Sequence, residues 1–275
     1  MSQPLTFSKS ESGLISIITL NQPEQLNALD NQQYLELGKL IEKADRDPDT
    51  IITLIRSSGR YFSAGANISD PRISSFDPDA EGAEDLYSYW LSKFVSRNVW
   101  LTQLFLNHSK VLVAALNGPV IGLTSALVAT CDLVYAMNEK VFLLTPFSNL
   151  GLVCEGSASA SLVVKLGVAK ANEAILMSKP ITASELYRLG FLNELYDMQD
   201  VQEFNVKVER ELEFRFNKLV KQSVLDNKKL INATLLKQME HSNVTEAIVG
   251  FNKWVKGIPQ RRFRELAAKD LKHKM

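Results

Sequence analysis

The amino-acid sequence predicts an α/β protein whose last third is helical. Short β-branched runs alternate with amphipathic stretches as far as about residue 195, and no run of strand character follows residue 200. Of the 275 residues, 45% are apolar, enough to bury a full core. The expected organisation is therefore an α/β core, residues 1–200, and a C-terminal helical region, residues 201–275.

Each element follows from local pattern. "GLISIITL" (13–20) is β-branched and ends at "NQPEQ", a strand then a turn. In "NALDNQQYLELGKLIEKADRDPD", Leu29, Leu35, Leu37, Leu40, Ile41 and Ala44 recur near the helical period, with Asp30 as N-cap and Pro48 as stop. "TIITLIRSSG" reads as a second buried strand, and "DPRISSFDPDAEGAED" as a solvated acidic loop. "LYSYWLSKFVSRNVWLTQLFLNH" restores an aromatic helical pattern, "KVLVAALNG" a third strand, and "LTSALVATC" an Ala-rich helix. "DLVYAMNEKVFLLTP" supplies two short strands. "SASASLVVKLG" is a helix ending at Gly167, and "KANEAILMSKPITASELYRLG" two more, the second opened by a Thr182–Glu185 capping box.

Bulk properties exclude several functions. Thirty-one basic and 31 acidic side chains cancel, against a nucleic-acid binder working through bulk charge. No apolar run reaches the ~18 residues of a membrane span, and "MSQPLTFSKSESG" lacks the layout of a secretory signal. Cys131 and Cys154 lie in apolar segments, which points to a reducing compartment rather than a disulfide framework. His108, His241 and His273 have no metal-ligand spacing. No G-x-G-x-x-G, G-x-x-x-x-G-K-[ST] or G-x-S-x-G occurs in the chain.

Two turns of small residues follow strands, "FSAGAN" (62–67) and "NGPVIGLTSA" (117–126). A strand ending in such a turn leaves backbone N–H groups facing open space, and two aimed at one point make an oxyanion hole. The plainer alternative is that Gly65, Gly118 and Gly122 only permit turns and close packing. A single acid, Glu155, interrupts "NLGLVCEGSAS" among apolar and small neighbours, with no cation near it in sequence. It is either a helix N-terminal carboxylate complementing the dipole or a proton-transfer group raised in pKa by its surroundings.

"RYFSAGAN", then "KVLVAALNGPVIGL", then "CDLVYA" resemble, in order and spacing, the crotonase (enoyl-CoA hydratase/isomerase) superfamily over about residues 10–195. "PFSNLGLVCEG" and the later "WVKGIPQRRFREL" are similar to the fungal peroxisomal Δ3,Δ2-enoyl-CoA isomerases in particular. The resemblance implies the ClpP/crotonase-like spiral ββα core with a C-terminal helical trimerisation region. It assigns the backbone N–H groups of Ala66 and Leu123 to an oxyanion hole. Ser63, Ala64, Gly65, Asn67 and Ile68, with Gly122 and Asn98, become expected substrate-binding residues, although "SRNVW" by itself reads Asn98 as a helix-surface amide. Asn67 replaces the Asp frequent in the family, which leaves the backbone donor in place.

The acids discriminate between reactions. Hydratases of the superfamily use two glutamates, and those positions hold Ala126 and Phe147 here; the isomerases use an acid further on, where Glu155 stands. The implied activity is a shift of the double bond of 3-cis- or 3-trans-enoyl-CoA to 2-trans-enoyl-CoA in β-oxidation. Glu155 would be the proton shuttle and catalytic residue, with no metal and no cofactor beyond the coenzyme A of the substrate. A dienoyl-CoA isomerase and a non-catalytic acyl-CoA-binding or assembly subunit are the alternatives. The implied partners are an acyl-CoA thioester, further copies of the chain in a homotrimer or dimer of trimers, and a peroxisomal import receptor, with no nucleic acid and no membrane span.

Tyr87, Tyr89, Trp90 and Phe94 are expected in the core or in an acyl tunnel, and Cys154 as a packing residue. "RRFRELAAKDLKHKM" holds six Lys/Arg against Glu265 and Asp270, a solvated face or a contact for coenzyme A phosphates. Its last three residues, "HKM", have a shape likeness to the peroxisomal S-K-L tripeptide, which with the family resemblance points to the peroxisomal matrix.

Overall fold

A computed structural model of the chain describes residues 3–67 and 85–268. Its larger sheet is built from β1 (Leu5–Lys9), β2 (Ile15–Leu20), β3 (Ile52–Ser57), β4 (Val111–Leu116), β6 (Leu133–Ala136) and β9 (Glu194–Leu195), paired in that order. From β2 to β9 every pairing is parallel, whereas β1 joins β2 antiparallel. The crossovers are α1 (Asn31–Arg46) between β2 and β3, and α2 (Leu86–Trp90) with α3 (Arg97–Leu106) before β4. A second sheet pairs β7 (Phe142–Leu144) with β5 (Val120–Ile121) on one side and β8 (Ile181–Thr182) on the other.

Alternation along the strands divides the interior in two. Ile18, Leu20, Ile55, Leu112, Ala114 and Leu116 pack towards the helices α1, α3 and α4 (Leu123–Ala129). Ile15, Ile17, Ile52, Leu54, Val111 and Val113 point the other way, against Phe204, Val208 and Leu212 of α8 (Val201–Phe216). Burial on both faces makes β4 apolar throughout and leaves β2 and β3 mostly apolar, with Ser16, Thr53 and Ser57 as their buried polar positions. The helical last third thus begins by covering the open face of the sheet.

α5 (Ala158–Leu166), α6 (Val168–Leu176) and α7 (Ala183–Arg188) follow β7, and α9 (Lys221–Ala233), α10 (Leu236–Val255) and α11 (Ile258–Ala267) close the chain. The Asp30 N-cap and the Thr182–Glu185 capping box form as their sequences predict. β1 was not foreseen. Its "LTFSK" carries three polar residues in five because it is the edge strand, exposed towards its end. The aromatic helix is interrupted as well, since Leu91–Ser96 widens to a π turn between α2 and α3.

Candidate active site

β3 and β4 run parallel, so the loops leaving their C-terminal ends emerge on the same edge, and they are the two small-residue turns. Ser63 and Val120 bridge them, with Ser63 N–H donating to the Pro119 carbonyl and Ile121 N–H to the Ser63 carbonyl (3.2 and 3.0 Å). The Ser63 hydroxyl is buried and occupied within its own turn, donating to the Asn27 carbonyl and accepting from Gly65 N–H. Gly65 has φ +84°, and a Cβ there would stand 2.7 Å from the Ile121 carbonyl oxygen and 3.7 Å from the Gly122 Cα. The turns therefore press backbone on backbone.

On its other side the first turn is held by Leu29, whose N–H donates to Gly65 C=O while its own carbonyl accepts from Asn67 N–H (2.8 and 2.9 Å). In a parallel bridge the residue between those two bonds turns its own N–H away from the partner, and that residue is Ala66. Leu123 is the first residue of α4. The Gly122 carbonyl accepts from Ser125 and Ala126, and the Leu123 N–H belongs to the first helical turn, which has no intrahelical acceptor. Ala66 and Leu123 both line a cavity of about 590 Å³.

Glu155 lines the same cavity and is itself 8% exposed. Two consecutive left-handed residues, Gly156 (φ +68°) and Ser157 (φ +66°), turn the chain from Glu155 into α5. A Cβ on Gly156 would lie 2.9 Å from Ala126 Cβ and 3.0 Å from Leu123 Cδ1, so only glycine lets this loop press against α4. The acid is thereby brought beside the Leu123 turn.

In sequence Glu155 stands alone; in space it does not. Asn98 donates from Nδ2 to Glu155 Oε2 at 2.9 Å. The Asn98 Oδ1 accepts from Arg97 Nε and a terminal guanidinium nitrogen (2.9 and 2.6 Å), which orients the amide with its NH2 towards the acid. Arg97 also donates to Asn31 Oδ1 and lies 5.0 Å from the centroid of the Tyr34 ring. Burial pushes the Glu155 carboxyl up to about 7, against the Arg97 charge and the Asn98 hydrogen bond, which favour its ionised form. The Tyr34 hydroxyl is buried without a hydrogen-bond partner among the described residues, and burial raises its pKa too.

One side of the cavity wall is aromatic and aliphatic, while Glu24, Gln25, Asn31, Asn67 and Lys93 add polar groups to the lining. Trp90 stacks on Trp254 with ring centroids 4.3 Å apart, and Phe94, Phe263, Leu150 and Leu152 extend the surface. Trp90 and Phe94 are thus both core and lining, while Tyr87 is exposed. Of the expected substrate-binding residues, Ala64, Asn67 and Gly122 line the cavity; Ser63 and Gly65 shape the turn behind it. Asn98 is no surface amide, being 2% exposed, and its contact is the acid rather than the cavity. Ile68 lies outside the described residues. Ala126 is buried against Gly156, and Phe147 forms part of the wall. Cys154 is half-buried, and burial pushes its thiol up to about 12, far from a reactive thiolate.

Arg97, Tyr34 and Trp254 were not singled out from sequence. A signal for the first existed: Trp90, Phe94, Arg97, Asn98, Leu101 and Phe105 share one helical stripe, so two polar residues interrupt an apolar face.

On a largely parallel sheet, the Ala66 and Leu123 turns and a buried acid thus share one cavity wall. Residues 10–248 match the enoyl-CoA hydratase/isomerase family, and the chain belongs to it. It is 41% identical over 265 residues to the 3,2-trans-enoyl-CoA isomerase of Saccharomyces cerevisiae, covering 96% of this chain and 94% of that one. It is 39% identical over 275 residues to the Delta(3,5)-Delta(2,4)-dienoyl-CoA isomerase of Pyricularia oryzae, covering 96% of each. Among solved structures, an enoyl-CoA hydratase from Bacillus halodurans superposes with a TM-score of 0.81 at 20% identity, over 95% of this chain and 99% of that one, a likeness of fold.

Proposed function

We propose that the protein is a Δ3,Δ2-enoyl-CoA isomerase in which Glu155 moves the proton and Ala66 and Leu123 hold the oxyanion. The observation that carries the reading is a single buried carboxylate, raised to about 7, on a cavity wall beside two outward backbone N–H groups. Glu155 takes a proton from carbon 2 of the 3-enoyl thioester. The C–H electrons form a C1=C2 bond and the carbonyl pair moves onto the thioester oxygen, giving a dienolate whose charge the two N–H groups stabilise. As the oxygen pair returns, the C1=C2 electrons form C2=C3 and the C3=C4 electrons take up a proton at carbon 4. The same carboxyl returns the proton to carbon 4, and the 3,4 double bond becomes a 2,3 one. Atoms and electrons balance without a further reactant.

Hydration by the two-glutamate route has no acids to use, since Ala126 and Phe147 occupy those positions. The dienoyl reading is favoured by the Pyricularia relative. Against it, Glu155 and the exposed Glu24 are the carboxylates on the cavity wall among the described residues. Residues 1–200 would supply this chemistry, and residues 201–275 would close the acyl compartment through Trp254 and Phe263 and contribute subunit contacts in a trimer or dimer of trimers. Leu230, Ile231, Val244 and Ile248 of α9 and α10 are exposed apolar candidates for such contacts. "HKM", which lies outside the described residues, would direct the chain to the peroxisome; its removal should leave a tagged protein in the cytosol of cells lacking related subunits, and an unchanged peroxisomal distribution would reject the address.

The test is turnover of 3-cis- and 3-trans-enoyl-CoA against 3,5-dienoyl-CoA and hydration of crotonyl-CoA. 3-Enoyl-CoA should be the preferred substrate and hydration negligible. Glu155→Gln should lose more than about nine-tenths of turnover while binding acyl-CoA within about tenfold of wild type. Retained turnover would remove Glu155 from the mechanism.

A further inference from the structure

Glu246 sits on α10, 91 positions beyond Glu155 (246 − 155), and is buried at 6% exposure without a basic partner among the described residues. Both its oxygens are occupied. Oε2 accepts from Ser157 N–H at 2.8 Å and Oε1 from Ser159 N–H at 2.7 Å. These are donors at the start of α5 that no residue of α5 can satisfy, and a carboxylate spanning them caps that helix from another element. Ser157 is a left-handed non-glycine residue, a conformation that costs energy unless its surroundings impose it. Glu246 and the Met239 carbonyl, which accepts from the Ser157 hydroxyl at 2.9 Å, impose it. Glu155 is two residues away on the same turn.

The same face of α10 grips the other half of the pair. Asn243, one turn before Glu246, donates to the Val99 carbonyl at 3.1 Å, next to Asn98. Gly250, one turn after, lies so close to Phe94 that a Cβ would stand 2.8 Å from the ring. Helix α10 therefore touches the turn that carries Glu155 and the helix that carries Asn98, across an Asn98–Glu155 contact of 2.9 Å.

We propose that Glu246 is a positioning residue for proton transfer: its bidentate hold on Ser157 and Ser159 sets the place of the Glu155 carboxylate, and its charge helps set when that carboxylate ionises. This rests on Glu155 being the base. Among the described residues, the charged and titratable groups facing Glu155 are Arg97 from α3, Tyr34 from α1 and Glu246 from α10, with Cys154 on its own segment; Glu24 and Lys93 also line the cavity. Arg97 favours the ionised form of Glu155, whereas Glu246 opposes it.

The experiment compares Glu246→Gln and Glu246→Asp with wild type and with Glu155→Gln, by pH-dependent kinetics on 3-enoyl-CoA and circular dichroism for folding. Glutamine removes the charge and offers one acceptor for two donors. Aspartate keeps the charge but is one methylene short of spanning them. Both variants should lose at least about tenfold in kcat with KM within about threefold. The acid limb of the glutamine variant should move to lower pH, while that of the aspartate variant stays in place. Near-normal kcat in both folded variants, a loss confined to KM, or an unmoved acid limb in the glutamine variant would overturn the proposal. Should the glutamine variant fail to fold, near-normal kcat in the aspartate variant alone would do so. An active Glu155→Gln would instead bring down the reading on which this one stands.

Discussion

At the scale of single residues, the chemistry turns on how one carboxylate is kept available but reluctant to ionise. Burial alone would push Glu155 towards permanent neutrality, and a free ion pair with Arg97 would make it a poor base. The arrangement avoids both extremes. Arg97 reaches the acid through the Asn98 amide, so Glu155 receives a neutral hydrogen bond at 2.9 Å and feels the guanidinium charge at one remove. A group at about 7 is half ionised near neutral pH and takes a proton more readily than an ordinary glutamate. The sign is definite: the base must be ionised to act, so kcat/KM should fall as pH drops through about 7. Asn98→Ala removes a bond that favours the ionised form and should move this limb to higher pH. A profile flat down to pH 5 in the wild type would separate the limiting step from Glu155.

At the scale of elements, the candidate oxyanion hole is a product of two turns that touch. Gly65→Ala tests this. Alanine at φ +84° carries a backbone cost of about 1–2 kcal/mol, and its Cβ would also drive against Ile121, forcing the turns apart. Gly13 is the control, because at φ +72° it meets nothing within 4 Å. Gly13→Ala should lower stability by a similar backbone cost and leave turnover unchanged, whereas Gly65→Ala should lose roughly 10- to 1000-fold in kcat, up to the cost of one donor. Equal turnover in the two variants would reject the convergence. These turns were legible in sequence because glycines after a strand are a local signal. Glu155 was legible because one acid in an apolar run is conspicuous. Its surroundings were not: Asn98 lies 57 residues away and Glu246 meets Ser157 across 89. Strand β1 and the two-residue strands β5, β8 and β9 are too short or too exposed to show a period of two.

At the scale of the whole molecule, a buried acid raised in pKa is also a term in folding stability, and its sign can be worked out. Unfolded, Glu155 titrates near its ordinary value of 4.5; folded, near 7. Below 4.5 it is protonated in both states and exacts no ionisation cost. Above 7 it is charged in both, and the native state carries the whole cost of holding that charge in the interior. The stability this proton provides is therefore fully present below pH 4.5 and lost as pH rises to 7, by at most about 3 kcal/mol. Glu155→Gln removes the titration and keeps the shape. Glu246 and Arg97 remain in both proteins, so to first order their own contributions cancel. At pH 4.5 the variant should match wild type closely, since a protonated glutamate and a glutamine are both neutral there. Between pH 4.5 and 8 its stability relative to wild type should climb, with most of the gain complete just above 7. Paired urea titrations across that range measure it directly. A constant difference between the two proteins would mean that Glu155 ionises as easily folded as unfolded, and the turn between Cys154 and Ser157 would then be open to water.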